Sequence, residues 1–307
     1  MSVLGTQLRF LQTIPGNIQG MALMALSTLT MTGMHMSVRK LGAEVPPIEI
    51  AFLRQVAVLI VLAPWFMRVG FKAILPTRPI FQTVRGLLSA ASVFCWFWAL
   101  TLIPLAKAAT LSFTATLFVV IGAMVFLGEK LKASRFVALA VGIGGVVLVV
   151  RPGMIDFELG VGLVIFSSVG AAAIKIMAKS LAATDKVTSI VGFVSIVVSL
   201  ATLVPAAMVW HWPSTQGWGW VALIGALSTI GQLSMIQSYK LADMGAVEPM
   251  VFLRIIWAAL IGFFVFSEVP EIWTWIGAVM IVAGTLFLGR GERGAREVAQ
   301  PSVAASS

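Results

Sequence analysis

Apolar stretches about twenty residues long recur along this chain, separated by short polar or Pro/Gly-bearing turns. A bilayer core takes about 20 apolar residues per helical span and leaves no backbone polar group unpaired, so such a chain is confined to helices or a closed barrel. Ten windows qualify: 17–38, 46–67, 81–102, 105–127, 133–150, 158–179, 187–210, 217–239, 245–267 and 271–289. Barrel strands alternate apolar and polar side chains, whereas 138–150 and 257–266 are apolar on every side, which selects helices. Of the 307 residues 59% are hydrophobic and 11% charged, against about 25% charged in a soluble domain. The fold class expected is an all-α integral membrane protein with ten transmembrane helices, with no stretch between them long enough for a soluble domain. Nothing after Met34 resembles a cleavage site, so the first span is expected to stay as an anchor.

The formal net charge of +9 does not describe a nucleic-acid surface, because the basic residues follow the spans. Arg68, Lys72 and Arg78 lie between spans 2 and 3, Lys130, Lys132 and Arg135 between spans 4 and 5, and Arg290, Arg293 and Arg296 after span 10. With ten spans these fall on one side, joined by Arg9, Lys179, Lys186 and Lys240, while Arg39, Lys40 and Arg151 fall on the other. The positive-inside rule then places both termini in the cytoplasm and the protein in the cytoplasmic (inner) membrane. The partners expected are the lipid bilayer and a small molecule, with no nucleic acid. One cysteine, Cys95, excludes an internal disulfide and argues against a metal cluster; no cofactor is expected.

The two halves of the chain read alike when one is slid along the other by 139 positions: Phe113 falls on Phe252, Glu129 on Glu268, Gly145 on Gly284 and Arg151 on Arg290. Copies of five spans each are inverted relative to one another, the architecture of many secondary transporters. Identity between them is thin, but inverted copies must carry their basic loops at different positions of the repeat. The basic loops between spans 2 and 3 and between spans 4 and 5 have counterparts at Trp210–Trp218 and Ser267–Glu271 with no Lys or Arg. The expected organisation is a segment 1–16, a first repeat 17–150, an inverted second repeat 158–289 and a basic tail 290–307.

Several motifs then resemble the drug/metabolite transporter superfamily with EamA-type repeats. In the first half these are Ala99–Ala109 with Pro104 and Lys107, Leu111–Thr114, Phe126–Glu129 and the Gly142–Gly145 helix that ends at Arg151–Gly153. In the second they are Ala246–Pro249, Phe266–Glu268 and Trp275–Ala278 with Gly284, while Arg54 matches a basic residue often found in the second span of such repeats. Thr116 stands where a proline is often seen, and the second half lacks a counterpart of Arg54. The resemblance implies a ten-helix carrier working by alternating access, with spans 3 and 8 bordering the central cavity. It does not give the substrate.

Ionisable groups inside spans cost about 2.5–3.5 kcal/mol at a helix centre and ask for an explanation. Arg54 lies about 12 Å into span 2 at 1.5 Å per residue, too deep for snorkelling, and Arg254 lies at a similar depth in span 9. Each is a candidate for substrate binding or gating, with a structural ion pair as the alternative. Glu248 precedes Pro249, which removes a backbone donor and interrupts the helix, so it is a candidate for proton coupling or for a cationic substrate group. Glu49 after Pro46–Pro47 is either a proton-coupling group or an anion at a helix N-terminus. Lys107 is a candidate contact or an interfacial anchor; Lys175 and Arg85 read as anchors near span ends. Trp96 and Trp98 are candidates for stacking on a flat substrate, Gln232 and Gln237 for uncharged hydrogen bonds, and His35 for proton coupling, each against plain helix packing. Glu129 and Glu268 read as boundary residues that answer to basic neighbours or to the N-termini of the following spans. Trp210, Trp212, Trp218 and Trp220 read as an interfacial belt.

These residues favour a secondary carrier for a zwitterionic or heterocyclic metabolite, such as a vitamin, a nucleoside-like or an amino-acid-derived compound. Export of drugs or amino-acid-type metabolites is the alternative; proton coupling, exchange and a homodimer stay open. An intramembrane enzyme needs convergent nucleophiles, acids or metal ligands. His35 and His211 are the only histidines and no HExxH or GxSxG occurs, so the chain is read as no enzyme. A noncatalytic scaffold would not require Arg54, Glu248 and Arg254 inside the membrane.

Overall fold

The structure, a computed structural model, describes residues 16–102, 111–112, 114–129, 136–137, 139–141, 143–144, 159–266, 276 and 279. Most of the expected fifth and tenth spans, together with 1–15, Lys107, Arg151, Glu268 and 290–307, lie outside the described residues. The helices are α1 (Gly16–Leu41), α2 (Pro47–Val69), α3 (Pro79–Leu102), α4 (Thr114–Leu127), α5 (Leu159–Ala182), α6 (Val187–Met208) and α7 (Thr215–Leu241). A short α8 (Met244–Val247), a 3-10 turn (Glu248–Phe252) and α9 (Leu253–Phe266) follow, and no strand occurs among the described residues. Five described segments are long and apolar enough to cross a membrane: Pro47–Val69, Leu159–Ala182, Val187–Met208, Thr215–Leu241 and Met244–Ile261. Large apolar side chains such as Phe126, Leu200, Met208 and Phe264 point outward, as a surface facing hydrocarbon requires.

Local chemistry sets the helix ends. Pro47 opens α2, where a missing N–H costs nothing. Gly70, at φ 96°, ends it in a conformation that side chains with a Cβ avoid. Ser214 caps α7 by accepting from Gly217 N at 3.0 Å. Pro249 cannot continue the α-helical ladder, and the chain tightens into the 3-10 turn there. The hydroxyls of Thr30, Thr32 and Ser37 donate to carbonyls of the preceding turn, which satisfies them without a partner helix.

Small residues let the helices approach closely, the usual basis of association where water supplies no driving force. A Cβ placed at Gly20 on α1 would come within 2.4 Å of the Ala242 Cβ, and one at Gly170 on α5 within 2.3 Å of the Ser92 Oγ on α3. Ser27 Oγ also bonds Gly231 O across the α1–α7 contact at 2.8 Å, and Ser167 Oγ bonds Ser92 O across the α3–α5 contact at 3.0 Å. The pairings exchange the halves: α1 packs on α7 as α5 packs on α3, α2 on α7 as α6 on α3, and α4 on α5 as α9 on α1. At the centre α2 runs against α6, with Phe66 over Gly192 at one end and Glu49 beside His211 at the other.

The connections obey the same exchange. The start of α6 holds the α2–α3 loop: Asp185 accepts from Thr77 N at 2.9 Å and from the Thr77 hydroxyl, and Ser189 Oγ donates to Ile74 O at 2.9 Å. The start of α2 holds the α6–α7 loop: Glu49 accepts from His211 N at 2.8 Å, while Glu44 before it accepts from Ser214 N at 3.2 Å. The two ends of the bundle differ in composition. Trp210, Trp212 and Trp218 cluster at the end formed by the α1–α2 and α6–α7 connections, with ring centroids 5.5 and 6.5 Å apart. Arg68, Lys72, Arg78, Lys179, Lys186 and Lys240 lie at the opposite, basic end.

Candidate functional site

The first two turns that matter are on α1 and α2, whose facing sides leave a cavity of about 450 Å³ with α3. His35, Arg54 and Trp96 line it, on a wall completed by Met34, Val38, Ile50, Ala51 and Val93; Gly42 and Pro47 extend it toward the tryptophan end. His35 is exposed into this space and lies within the fields of both Arg254 and Arg54. Among the described residues no carboxylate lines the cavity. Arg54 has no hydrogen-bond or ion-pair partner among the described residues. Its neighbour one residue on, Gln55, is buried with its carbonyl oxygen also unbonded among the described residues.

A second polar cluster lies toward the basic end. Glu248, fully buried at the start of the 3-10 turn, accepts from Lys175 Nζ at 2.8 Å on one oxygen and from Tyr239 Oη at 2.9 Å on the other. Arg254, one helical stretch further on, feels the charge of Glu248. Arg85 on α3 donates through Nε to Ile174 O at 3.1 Å and through Nη1 to Gln82 Oε1 at 3.3 Å. Gln82 in turn donates to Ile190 O at 2.6 Å, so α3, α5 and α6 share one buried polar seam. Outside it, Glu129 at the end of α4 accepts from Met244 N at 3.0 Å and Gly245 N at 3.3 Å, the exposed donors that open α8. Lys179 lies 3.8 Å from Glu129 and donates to Ala242 O.

The structure thus brings His35, Arg54 and Trp96 together on the cavity wall and holds Glu248 in the second cluster, while Arg254 lies within reach of the charges of both His35 and Glu248. Trp98, about 200° around the helix from Trp96 at 3.6 residues per turn, is half exposed on the other side of α3, edge-on to Phe94. Of the two stacking candidates, Trp96 is the one that lines this cavity. Gln232 and Gln237 lie on α7 outside the cavity wall, and the wall comes from α1, α2 and α3 where spans 3 and 8 were expected to share it. Glu49 is fully buried and fastens the α6–α7 loop. Glu129 serves a helix start, that of α8, and has a basic neighbour in Lys179 at 3.8 Å. Lys107 lies outside the described residues.

Lys175 and Arg85 are not interfacial anchors: both are turned inward, because a carboxylate and a carbonyl await them on neighbouring helices. Tyr239, the only tyrosine of the chain, is given no role in the sequence reading. A usable signal existed for it: a phenol in an apolar helix needs an acceptor, and Glu248 follows nine residues later. Among the described residues no group of three His, Cys, Asp or Glu side chains could hold a metal ion.

With this geometry in hand, comparison with known proteins is informative. The EamA-like transporter family matches residues 18–151 and 158–290. An S-adenosylmethionine uptake transporter of Rickettsia prowazekii is 27% identical over 276 residues, covering 90% of this chain and 94% of the relative. A riboflavin transporter of Brucella anthropi is 28% identical, covering 83% and 92%. A pseudopaline exporter of Pseudomonas aeruginosa is 28% identical, covering 90% and 97%. A solved crystal structure with 18% identity matches with a TM-score of 0.76 over 90% of this chain and 98% of that one, which speaks for the fold alone.

Proposed function

The chain belongs to the EamA-like transporter family, a multi-pass membrane transporter of small metabolites and not an enzyme; on that premise we propose a carrier that works by alternating access between two inverted halves of five spans each. The observation that carries this reading is a cavity lined in part by charged and aromatic side chains toward one end and a bonded polar cluster toward the other; a larger cavity of about 610 Å³ between α3, α4 and α5 is apolar apart from Arg78 and Ser180. Toward the tryptophan end a cavity of about 450 Å³ reaches Arg54, a size within the usual range for small-molecule sites. Toward the basic end, Lys175, Glu248 and Tyr239 are bonded to one another and Glu129 fastens α8. The exchanged helix pairings and the exchanged loop contacts support the inverted repeat. Two arrangements of such halves, differing in which end is fastened, are what a carrier needs.

By the positive-inside rule the basic end is cytoplasmic, so both termini are inside and the state described is open to the outside. The substrate class is a zwitterionic or heterocyclic metabolite, and S-adenosylmethionine is the first compound to try, given the relative named for its uptake. Export is the second reading, favoured by the relative named as an exporter. Purified protein in liposomes preloaded with unlabelled S-adenosylmethionine, riboflavin or tryptophan tests the carrier: saturable accumulation of labelled external compound by counterflow is expected for at least one. Counterflow with none of them, or flux that never saturates, contradicts it.

A further inference from the structure

Arg54 is a charged group on the cavity wall that the carrier reading leaves unexplained. Its guanidinium lies deep in α2, and it has neither an acidic partner nor a carbonyl partner among the described residues. By contrast Arg85 is held by Ile174 O and Gln82, and Lys175 by Glu248. A buried charge is retained at such a depth when something meets it, and a cation facing a cavity is met by what enters. Among the described residues no acid lines the wall, and the other ionisable group there, His35, sits in the positive field of Arg54 and Arg254 together. A cationic group entering this space meets repulsion, whereas an oxyanion meets a planar fork of donors suited to two parallel hydrogen bonds. The rest of the wall is apolar, through Met34, Val38 and Ile50, with the indole of Trp96 as a flat face.

We infer that the carried solute is an aromatic or heteroaromatic compound that presents a compact oxyanion, a carboxylate or a phosphate monoester, to Arg54 while its ring lies against Trp96. This rests on the carrier reading for its setting and narrows the substrate by charge. Any amine or sulfonium on the solute lies away from Arg54, so a zwitterion is accepted through its acid group, and a purely cationic relative is refused.

The test uses the full chain in detergent and pairs of probes that differ in the anion alone: S-adenosylmethionine against its decarboxylated counterpart, tryptophan against tryptophanamide, and riboflavin 5′-phosphate against riboflavin. Binding is read by isothermal titration. In at least one pair the acid is expected to bind about ten- to hundredfold more tightly than its partner, the range for one charge-assisted contact. The carboxylate and phosphate pairs identify which oxyanion fits. Arg54→Gln is expected to abolish the difference within the pair, and Arg54→Lys to restore part of it. The comparison within a pair on the unaltered protein stands even where a variant folds poorly. Equal binding within every pair, tighter binding of the uncharged or cationic member, or no binding by any acid overturns the inference. Equal counterflow of both members would overturn it and leave the carrier standing, whereas acid-selective binding without any counterflow would do the reverse.

Discussion

Glu248 shows how much rests on a few side chains. Its two oxygens are occupied by an ammonium and a phenol, both reached from other helices, and the carboxylate is completely buried. Hydrogen bonds to a charged group contribute about 1.5–3 kcal/mol, so Tyr239→Phe is expected to lower stability by about that amount and to lower the melting temperature of the purified protein. Removing the charge with Glu248→Gln strands Lys175, and breaking a buried pair costs about 3–5 kcal/mol; with Lys175 20% exposed the lower end applies. The double variant Lys175→Met with Glu248→Gln is expected to be more stable than Glu248→Gln alone, and strict additivity of the two single changes would contradict the pairing. The sequence made Glu248 conspicuous because an acid before a proline inside an apolar run has few explanations. It left Lys175 and Tyr239 in the background, since nothing in local periodicity says that α5 and α7 converge on the start of the 3-10 turn.

The helices themselves were largely legible, and for plain reasons. Apolar runs bounded by Pro47, Pro79, Lys186 and Ser214 leave few places to begin, and the helices they open lie within two residues of their expected windows; the window 245–267 is instead divided into α8, the 3-10 turn and α9. Pairing was less so, because it depends on where small residues meet. Gly20 is the sharpest case: a side chain there would strike Ala242 and the Ser238 carbonyl, whereas Gly162 on α5 faces open space among the described residues. Gly20→Val is accordingly expected to reduce the yield of folded, monodisperse protein severely. Gly162→Ala is expected to be neutral or to stabilise by up to about 1 kcal/mol through helix propensity, as read by size-exclusion profiles and thermal melts. If both substitutions behave alike, close packing of α1 on α7 is not what holds these elements together. The site shows the same division: Arg54 and Trp96 stand out as residue types in apolar helices, but that Trp96 faces the cavity and Trp98 faces away follows only from the rotation of α3 against α5.

At the basic end, acids of one half meet partners in the other, and on the carrier reading proposed above these contacts fasten that end. Glu129 of the first half holds the α8 backbone of the second, and Asp185 of the second half holds Thr77 of the first. In a carrier such contacts set the balance between the two arrangements, and a shift of about 1.4 kcal/mol changes that balance tenfold. Weakening the basic end is therefore expected to draw the population away from the state in which the cavity faces the tryptophan end. The most direct test is the rate at which a membrane-impermeant maleimide labels Ala51→Cys, a cavity residue one turn from Arg54, in right-side-out vesicles of a Cys95→Ser protein. The account predicts rapid labelling from the outside, slowed about tenfold when Glu129→Gln is added. Labelling that is equally fast from either face, or that is unchanged by Glu129→Gln, would contradict it.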